Sequence, residues 1–387
     1  MYNIKTLNKI SACGLEQFDA AKFNVSEDVD SPDAVLVRSA SMHETPLDEN
    51  LLAIARAGAG TNNIPVEACG KQGIVVFNTP GANANAVKEL AIAGLLMSSR
   101  KICQSIDWAK TIKSEGDAVP KLVEKGKSAF GGPEILGKNL GIIGLGAIGV
   151  MVANIAVSLG MNVYGFDPFI SVDNAWDLKA NVIHTDSLDE IYENCHYISL
   201  HAPLNDDTRG MVNAESINKM MDEVRILNFS RADLANNDHL LKALTNGKVG
   251  AYVTDFPTAD LIDVDGVIAI PHLGASTPES EDNCAGMAAA EIIDFLTNGN
   301  IKNSVNMPNV SMARGKHPRV TVIHDNIPNI IAQISSTFSA NNVNIESIQS
   351  ASRGDVAYSM FDVSGNVCDD SIAKIASVDG IRRVRLI

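Results

Sequence analysis

Residues Lys138–Gly149 read KNLGIIGLGAIG: an apolar run, Leu140–Ile143, then glycines at Gly144, Gly146 and Gly149. The apolar-rich segment Ala147–Leu159 follows, and Gly160 ends it. That order predicts a strand, a tight turn and a helix that starts inside the turn. Each glycine has a separate task in such a unit. Gly144 permits the turn, Gly146 lets backbone approach a pyrophosphate, and Gly149 lets helix and strand pack closely. The helix start at Ala147 and Ile148 offers unpaired N–H groups and the positive end of a dipole to the same anion. A glycine pattern alone is weak, because composition produces such matches by chance, so the surroundings decide. Asn162–Phe166 reads as the next strand and ends at Asp167. A carboxylate there accepts hydrogen bonds from a ribose 2′-hydroxyl and repels a 2′-phosphate, and the next residues, Pro168 and Phe169, bring no arginine. The unit predicts a Rossmann-type domain that takes NAD in preference to NADP.

Short, largely apolar strands continue downstream at Tyr197–Leu200, Arg225–Phe229, Val249–Val253 and Val267–Ile270, as expected when helices cover both faces of a parallel sheet. Upstream, Ala34–Val37 and Ile74–Phe77 read as strands, with helix-like segments at Asn50–Ala57 and Val87–Met97. Lys113–Pro133, rich in Lys, Gly and Ser, reads as a connection between domains. Ser304–Pro318 reads as a linker to a small separate C-terminal domain. There the order is strand Arg319–His324, helix Asn329–Ser339, strands Val343–Ser350 and Val356–Val363, helix Asp369–Ser377 and strand Ile381–Leu386, a ferredoxin-like βαββαβ pattern.

The 387 residues are 45% apolar and carry a formal charge of −15, which argues against sequence-independent nucleic-acid binding and against an anionic membrane surface. No apolar run approaches the roughly 20 residues of a membrane helix. The N-terminal MYNIKTLNKISACG has no continuous apolar core and reads as mature protein. Six dispersed cysteines, with no Cys-x-x-Cys pair, fit a reducing cytoplasm and small buried side chains, and offer no metal site. So acidic a chain would hold an anionic small molecule only by concentrating arginines locally.

Three polar residues follow strand carboxyl ends, where open α/β sheets bind ligands: His201, Arg231 and His272. An arginine there can grip a carboxylate with two parallel hydrogen bonds, and a histidine can carry a hydroxyl proton. These are the parts that interconversion of a 2-hydroxy acid and a 2-oxo acid needs. By position alone His201 and His272 are equal candidates.

The stretch KNLGIIGLGAIG, Arg231 within NFSRAD and PHLGAST at Pro271–Thr277 resemble the D-isomer-specific 2-hydroxyacid dehydrogenases. RSA at Arg38–Ala40, RAGAGTNNI at Arg56–Ile64 and NTPGAN at Asn78–Asn83 match as well, so the resemblance covers essentially the whole chain. It implies an α/β architecture with a flavodoxin-like substrate domain at 1–95 and 284–303, the NAD domain at 96–283, a linker at 304–318 and an ACT-type regulatory domain at 319–387. It implies that Arg231 holds the substrate carboxylate and that His272 is the acid/base. His201 and Pro203 would lie on the cofactor-side loop and Asp255 near the nicotinamide carboxamide. Arg38, Ser39, Arg56, Gly60 and Asn83 would face the substrate, the two arginines favouring a phosphorylated acid.

Two departures stand out. Ala232 replaces the glycine that usually follows the catalytic arginine. In the shortened TDFPTADLID no glutamate is available to pair with His272, and Asp260 is the nearest replacement by count. The loop at His324–Asn329 resembles the ACT effector loop, with Asn329 where glycine is usual, and implies L-serine as effector at His324, Asn326 and Asn344. The resemblance also implies a homodimer or homotetramer. Other readings keep the fold and change the substrate to lactate, glycerate or 2-hydroxyglutarate, or keep NAD sensing without turnover.

Overall fold

The computed structural model describes residues 1–387. By contact the chain divides into two units, Met1–Asn83 with Pro278–Ile387, and Ala84–Thr277. In the first, strands β1 (Tyr2–Leu7), β2 (Phe23–Ser26), β3 (Ala34–Val37), β4 (Ala53–Arg56) and β5 (Val75–Phe77) form a parallel sheet in the order β2-β1-β3-β4-β5. This is the flavodoxin-like doubly wound order. The expected helix at Asn50–Ala57 is therefore a strand instead. Leu, Ala and Arg favour helices, but Ala53–Ala55 are buried between β3 and β5. A strand buried on both faces shows no alternation for a sequence reader to detect.

The second unit carries β6 (Asn139–Ile143), β7 (Asn162–Phe166), β8 (Val182–His184), β9 (Tyr197–Leu200), β10 (Val224–Asn228), β11 (Val249–Thr254) and β12 (Val267–Ala269). All pair in parallel, in the order β12-β11-β10-β9-β6-β7-β8. Renumbered from β6 this is 3-2-1-4-5-6 with one further strand, the Rossmann order. The chain leaves β6 toward one edge and returns to β9 on its other side, so the switch point lies between β6 and β9. Lys113–Pro133 is not an interdomain connection. It lies wholly inside this unit and is largely helical, with Val119–Gly126 as its longest helix. Trp108 packs on Phe130 with ring centroids 5.3 Å apart, which folds the segment back on the helix Ile102–Thr111.

Residues 319–387 form the βαββαβ order from β13 (Arg319–Asp325), β14 (Asn344–Arg353), β15 (Val356–Ser364) and β16 (Ile381–Leu386), in an antiparallel sheet ordered β14-β15-β13-β16. They are not separate from the first unit. One face of this sheet, with Val320, Val322, Phe361 and Val363, packs on the helices Ile330–Ala340 and Asp369–Ala376. The other face, with Ile323, Tyr358 and Met360, shares a core with Ile4, Phe77 and Phe295. Arginines finish the seam: Arg382 donates to the Gly70 carbonyl at 3.0 Å and Arg383 to that of Leu51 at 2.7 Å. Arg385 lies over the Phe295 ring, 4.7 Å from its centroid.

The 304–318 segment joins this packing, with Met307 and Val310 buried and Val310 bonded to Ile301. The unit limits, at 83/84 and 277/278, precede the long helices Ala84–Ser99 and Pro278–Asn298, whereas the sequence-based limits would cut both. Cys69, Cys195 and Cys284 are buried as expected, but Cys13 and Cys368 are exposed. No helix is long and apolar enough to cross a membrane.

Candidate active site

The glycine turn after β6 can be tested position by position. Gly144 has φ +94°, and a Cβ there would lie 2.6 Å from the backbone carbon of His201. A Cβ on Gly149 would lie 2.0 Å from the Gly144 carbonyl oxygen. Around Gly146 there is open space, with nothing within 4 Å of such a Cβ. Gly144 and Gly149 are thus demanded by the protein itself, and Gly146 by nothing in the protein. Gly146 is also the N-cap of the helix Ala147–Ser158 and has no side-chain cap, so the first N–H groups of that helix stay available to a ligand. That cradle fits a dinucleotide pyrophosphate.

At the end of β7, Asp167 Oδ2 accepts the Leu145 N–H and Oδ1 accepts the Phe169 N–H, both at 2.8 Å. Each oxygen keeps lone pairs for ribose hydroxyls. Beyond β9, the ring of His201 meets the Ser199 hydroxyl at 2.8 Å, and burial pushes its pKa down to about 4. His201 is neutral under neutral conditions, which suits a wall of the cofactor cleft better than a proton carrier. Pro203 is exposed on the following loop, where its carbonyl accepts from Thr208 Oγ1 at 2.6 Å.

Arg231 follows β10. Its backbone N–H donates to Asn228 Oδ1 at 3.3 Å, while Nη1 of its exposed side chain donates to the Ser230 carbonyl at 2.7 Å. His272, after β12, is exposed and packs its ring on Phe256, with centroids 4.9 Å apart. Asp255, only 1% exposed, sits at the end of β11, the strand between those that Arg231 and His272 follow. Its Oδ2 accepts the Gly274 N–H at 3.3 Å, and its Oδ1 has no hydrogen-bond partner. Burial raises the Asp255 pKa, against the opposing pull of His272, the Gly274 N–H and Arg231.

Asp260 does not pair with His272. Its exposed carboxylate is held by Thr258 and by Asn237 Nδ2 at 2.9 Å, and those bonds lower its pKa. Sequence counting pointed to Asp260 only because the shortened loop obscured which carboxylate turns inward. Burial, the signal that singles out Asp255, was not in the spacing.

In the first unit, Arg38 Nη2 pairs with Glu281 Oε1 at 2.6 Å. Arg56 donates from Nε to the Arg38 carbonyl at 3.0 Å and from Nη1 to the Gly60 carbonyl. It therefore braces the 58–60 loop from inside. The Ser39 N–H donates to Asn8 Oδ1 at 3.0 Å, and its residue is exposed. Asn83 is partly exposed at the last position before the helix Ala84–Ser99.

Of the effector candidates, His324 faces inward. It is 4% exposed, with Nδ1 at 2.8 Å from the Asp325 carbonyl and Nε2 at 2.9 Å from the Ser359 hydroxyl. No ring nitrogen is left for a ligand in this arrangement. Asn326 and Asn344 are exposed; Asn326 bonds the Gly354 carbonyl at 3.0 Å and Asn344 the Glu346 carboxylate at 3.0 Å. Asn329 takes the left-handed conformation, φ +74°, that glycine would otherwise supply.

Comparison with known proteins agrees with this geometry. The family model for the D-isomer specific 2-hydroxyacid dehydrogenase, NAD binding domain, matches residues 92–274. The D-3-phosphoglycerate dehydrogenase of Haemophilus influenzae is 32% identical over 352 residues, 87% of this chain and 81% of that protein. The protein of the same name from Methanocaldococcus jannaschii is 34% identical over 81% of this chain, which spans only 59% of it. Among solved structures, the NAD+-bound 3-phosphoglycerate dehydrogenase of Entamoeba histolytica superposes with TM-score 0.60 at 28% identity, over 79% of this chain and 98% of that one. The D-mandelate dehydrogenase of Rhodotorula graminis, at 22% identity and TM-score 0.66 over 76% of this chain and 94% of that one, shares the fold. A glycine turn shaped for a pyrophosphate, an arginine and a histidine after the two strands that flank β11, and relatives matched along most of their length lead to one conclusion: the chain belongs to the D-isomer-specific 2-hydroxyacid dehydrogenase family, with NAD as its cofactor.

Proposed function

We propose that the protein oxidises 3-phospho-D-glycerate to 3-phosphooxypyruvate. NAD, when bound, supplies the hydride acceptor. The chain's own residues do the rest. Arg231 grips the substrate carboxylate through charge-assisted hydrogen bonds and so fixes which face of C2 is presented. His272 takes the C2 hydroxyl proton as the hydride leaves, and returns it in the reverse direction. The backbone N–H groups at Ala147 and Ile148 hold the pyrophosphate, and Asp167 the ribose.

The observation that carries this reading is one of placement: Arg231 and His272 follow β10 and β12, the two strands that flank β11, and β11 ends at the buried Asp255. The substrate assignment draws on the relatives named D-3-phosphoglycerate dehydrogenase. One observation favours a second reading, a D-2-hydroxy acid without a phosphate. Arg38 is already paired with Glu281, and Arg56 is spent on backbone carbonyls. Following NADH absorbance over a panel of D-2-hydroxy acids separates the two. The first reading expects kcat/KM for 3-phospho-D-glycerate to exceed that for D-lactate, D-glycerate and D-2-hydroxyglutarate by about 100-fold, the worth of one or two charge-assisted bonds. Equal rates with D-glycerate would favour the second, and no turnover with any acid would remove both.

Feedback by L-serine belongs to the same proposal. Its support is the βαββαβ order of residues 319–387 and the exposed amides of Asn326 and Asn344. A homodimer or homotetramer is proposed likewise; β14 is a free sheet edge.

A further inference from the structure

A histidine that must alternate between neutral and charged forms works best beside a fixed carboxylate, which steadies the ring and stabilises the imidazolium. Between Arg231 and His272 the carboxylates are Asp233, Asp238, Asp255, Asp260, Asp263 and Asp265, with no glutamate. Five are engaged elsewhere or face water. Asp233 pairs with Arg209, and Asp260 with Asn237 and Thr258. Asp238, Asp263 and Asp265 are exposed. Asp255 alone is buried, with one oxygen unpartnered. An unpaired carboxylate oxygen kept from water is costly, so its burial calls for a compensating partner.

The backbone brings His272 to that place. β12 runs beside β11 with Thr254 opposite Ala269, and the Ile270 N–H donates to the Thr254 carbonyl at 2.8 Å. The chain then turns so that the Gly274 N–H reaches Asp255 Oδ2, and the His272 ring lies on Phe256, the residue after Asp255. His272 is thus bracketed by two contacts to the segment that carries Asp255. The charged and polar groups that act on Asp255 are His272, Arg231 and the N–H groups of Gly274 and of Asp255 itself.

We propose that Asp255 is the positioning carboxylate of His272, filling the role for which this chain has no glutamate. The inference rests on His272 being the acid/base of the proposed reaction. In the oxidation the C2–H bond breaks with its electron pair passing to NAD, and the O–H bond breaks with its proton passing to His272. Asp255 exchanges no proton and acts through its charge.

The test compares wild type, D255N and D255E in the full chain with NAD at saturation. D255N is expected to lower kcat by about 100-fold while KM changes little. It is also expected to move the acid limb of kcat/KM for oxidation to lower pH by about one unit, because the imidazolium loses its counter-charge. D255E, which keeps the charge and changes the reach, should recover part of kcat and return the limb toward wild type. An NMR titration of the labelled His272 ring in the NAD-bound protein gives the same comparison without turnover. Should D255N not fold, D255S carries the same expectations. An unmoved limb and an unmoved His272 titration would overturn the proposal, as would a variant that merely weakens NAD and regains wild-type kcat when NAD is saturating. The two failures stay distinguishable. If the wild type turns over no D-2-hydroxy acid, the functional reading falls, while the His272 titration still reports whether Asp255 faces that ring.

Discussion

Replacing Gly146 by alanine separates what the fold needs from what the coenzyme needs. Gly146 has φ −72° and ψ −172°, angles open to any residue, and a Cβ there meets nothing within 4 Å. The stability change should therefore stay within about 1 kcal/mol, the scale of an N-cap substitution. The added methyl projects about 1.5 Å into the space through which a pyrophosphate oxygen reaches the helix N–H groups. Pushing that oxygen back weakens one or two charge-assisted hydrogen bonds worth about 1.5–3 kcal/mol each. NAD affinity should then fall by about 10- to 100-fold.

Gly149→Ala is the control. Its Cβ would lie 2.0 Å from the Gly144 oxygen, where real contacts do not come below 3.0 Å, so helix and strand must separate by 3.0 − 2.0 = 1.0 Å. That overpacking costs about 1–3 kcal/mol and should lower the melting temperature as well as NAD affinity. Calorimetric titration with NAD and thermal melts on the three proteins give both numbers. A G146A protein that binds NAD as tightly as wild type would refute the assignment of the turn to the pyrophosphate.

Other outcomes follow from the same geometry. R231K should lower kcat/KM by about 100-fold, because a lysine cannot make the paired bonds of a guanidinium; steady-state kinetics measure it. H201N should leave the acid limb of the activity profile in place and H272N should remove it, since His201, with a pKa near 4, is neutral through the neutral range. Burial raises the Glu291 pKa from 4.5 to about 8, with Asn303 donating to one oxygen at 2.8 Å and the other unpartnered. The folded state thus holds that proton more tightly than the unfolded one, so wild-type stability should fall relative to E291Q between pH 4.5 and about 8 and run parallel to it above, as melts across pH would show. Millimolar L-serine should give binding heat and inhibition that N344A weakens; a wild type showing neither would remove the effector reading.

What sequence could reveal here was local chemistry. The placement of the three glycines, Asp167, Arg231 and His272 after strand ends is legible because each placement depends on residues within a few positions. Ala53–Arg56 was misread because a strand covered on both sides lacks the alternation that marks strands, and its Leu, Ala and Arg neighbours favour helices. The docking of residues 319–387 was hidden for another reason. Arg382, Arg383 and Arg385 read as surface charge, yet they bond backbone carbonyls of residues distant in sequence, at Gly70, Leu51 and Leu296. The inward turn of Asp255, against the outward turn of Asp260, depends on β11 and β12 lying side by side, which no spacing encodes.

The central claim is that hydride leaves C2 of a phosphorylated D-2-hydroxy acid for NAD. Incubation with C2-deuterated 3-phospho-D-glycerate and NAD, followed by mass spectrometry of the reduced nucleotide, tests it most directly. The account predicts NADH carrying the deuterium, formed by the wild type and far more slowly by H272N; unlabelled NADH, or none from the wild type, would contradict it.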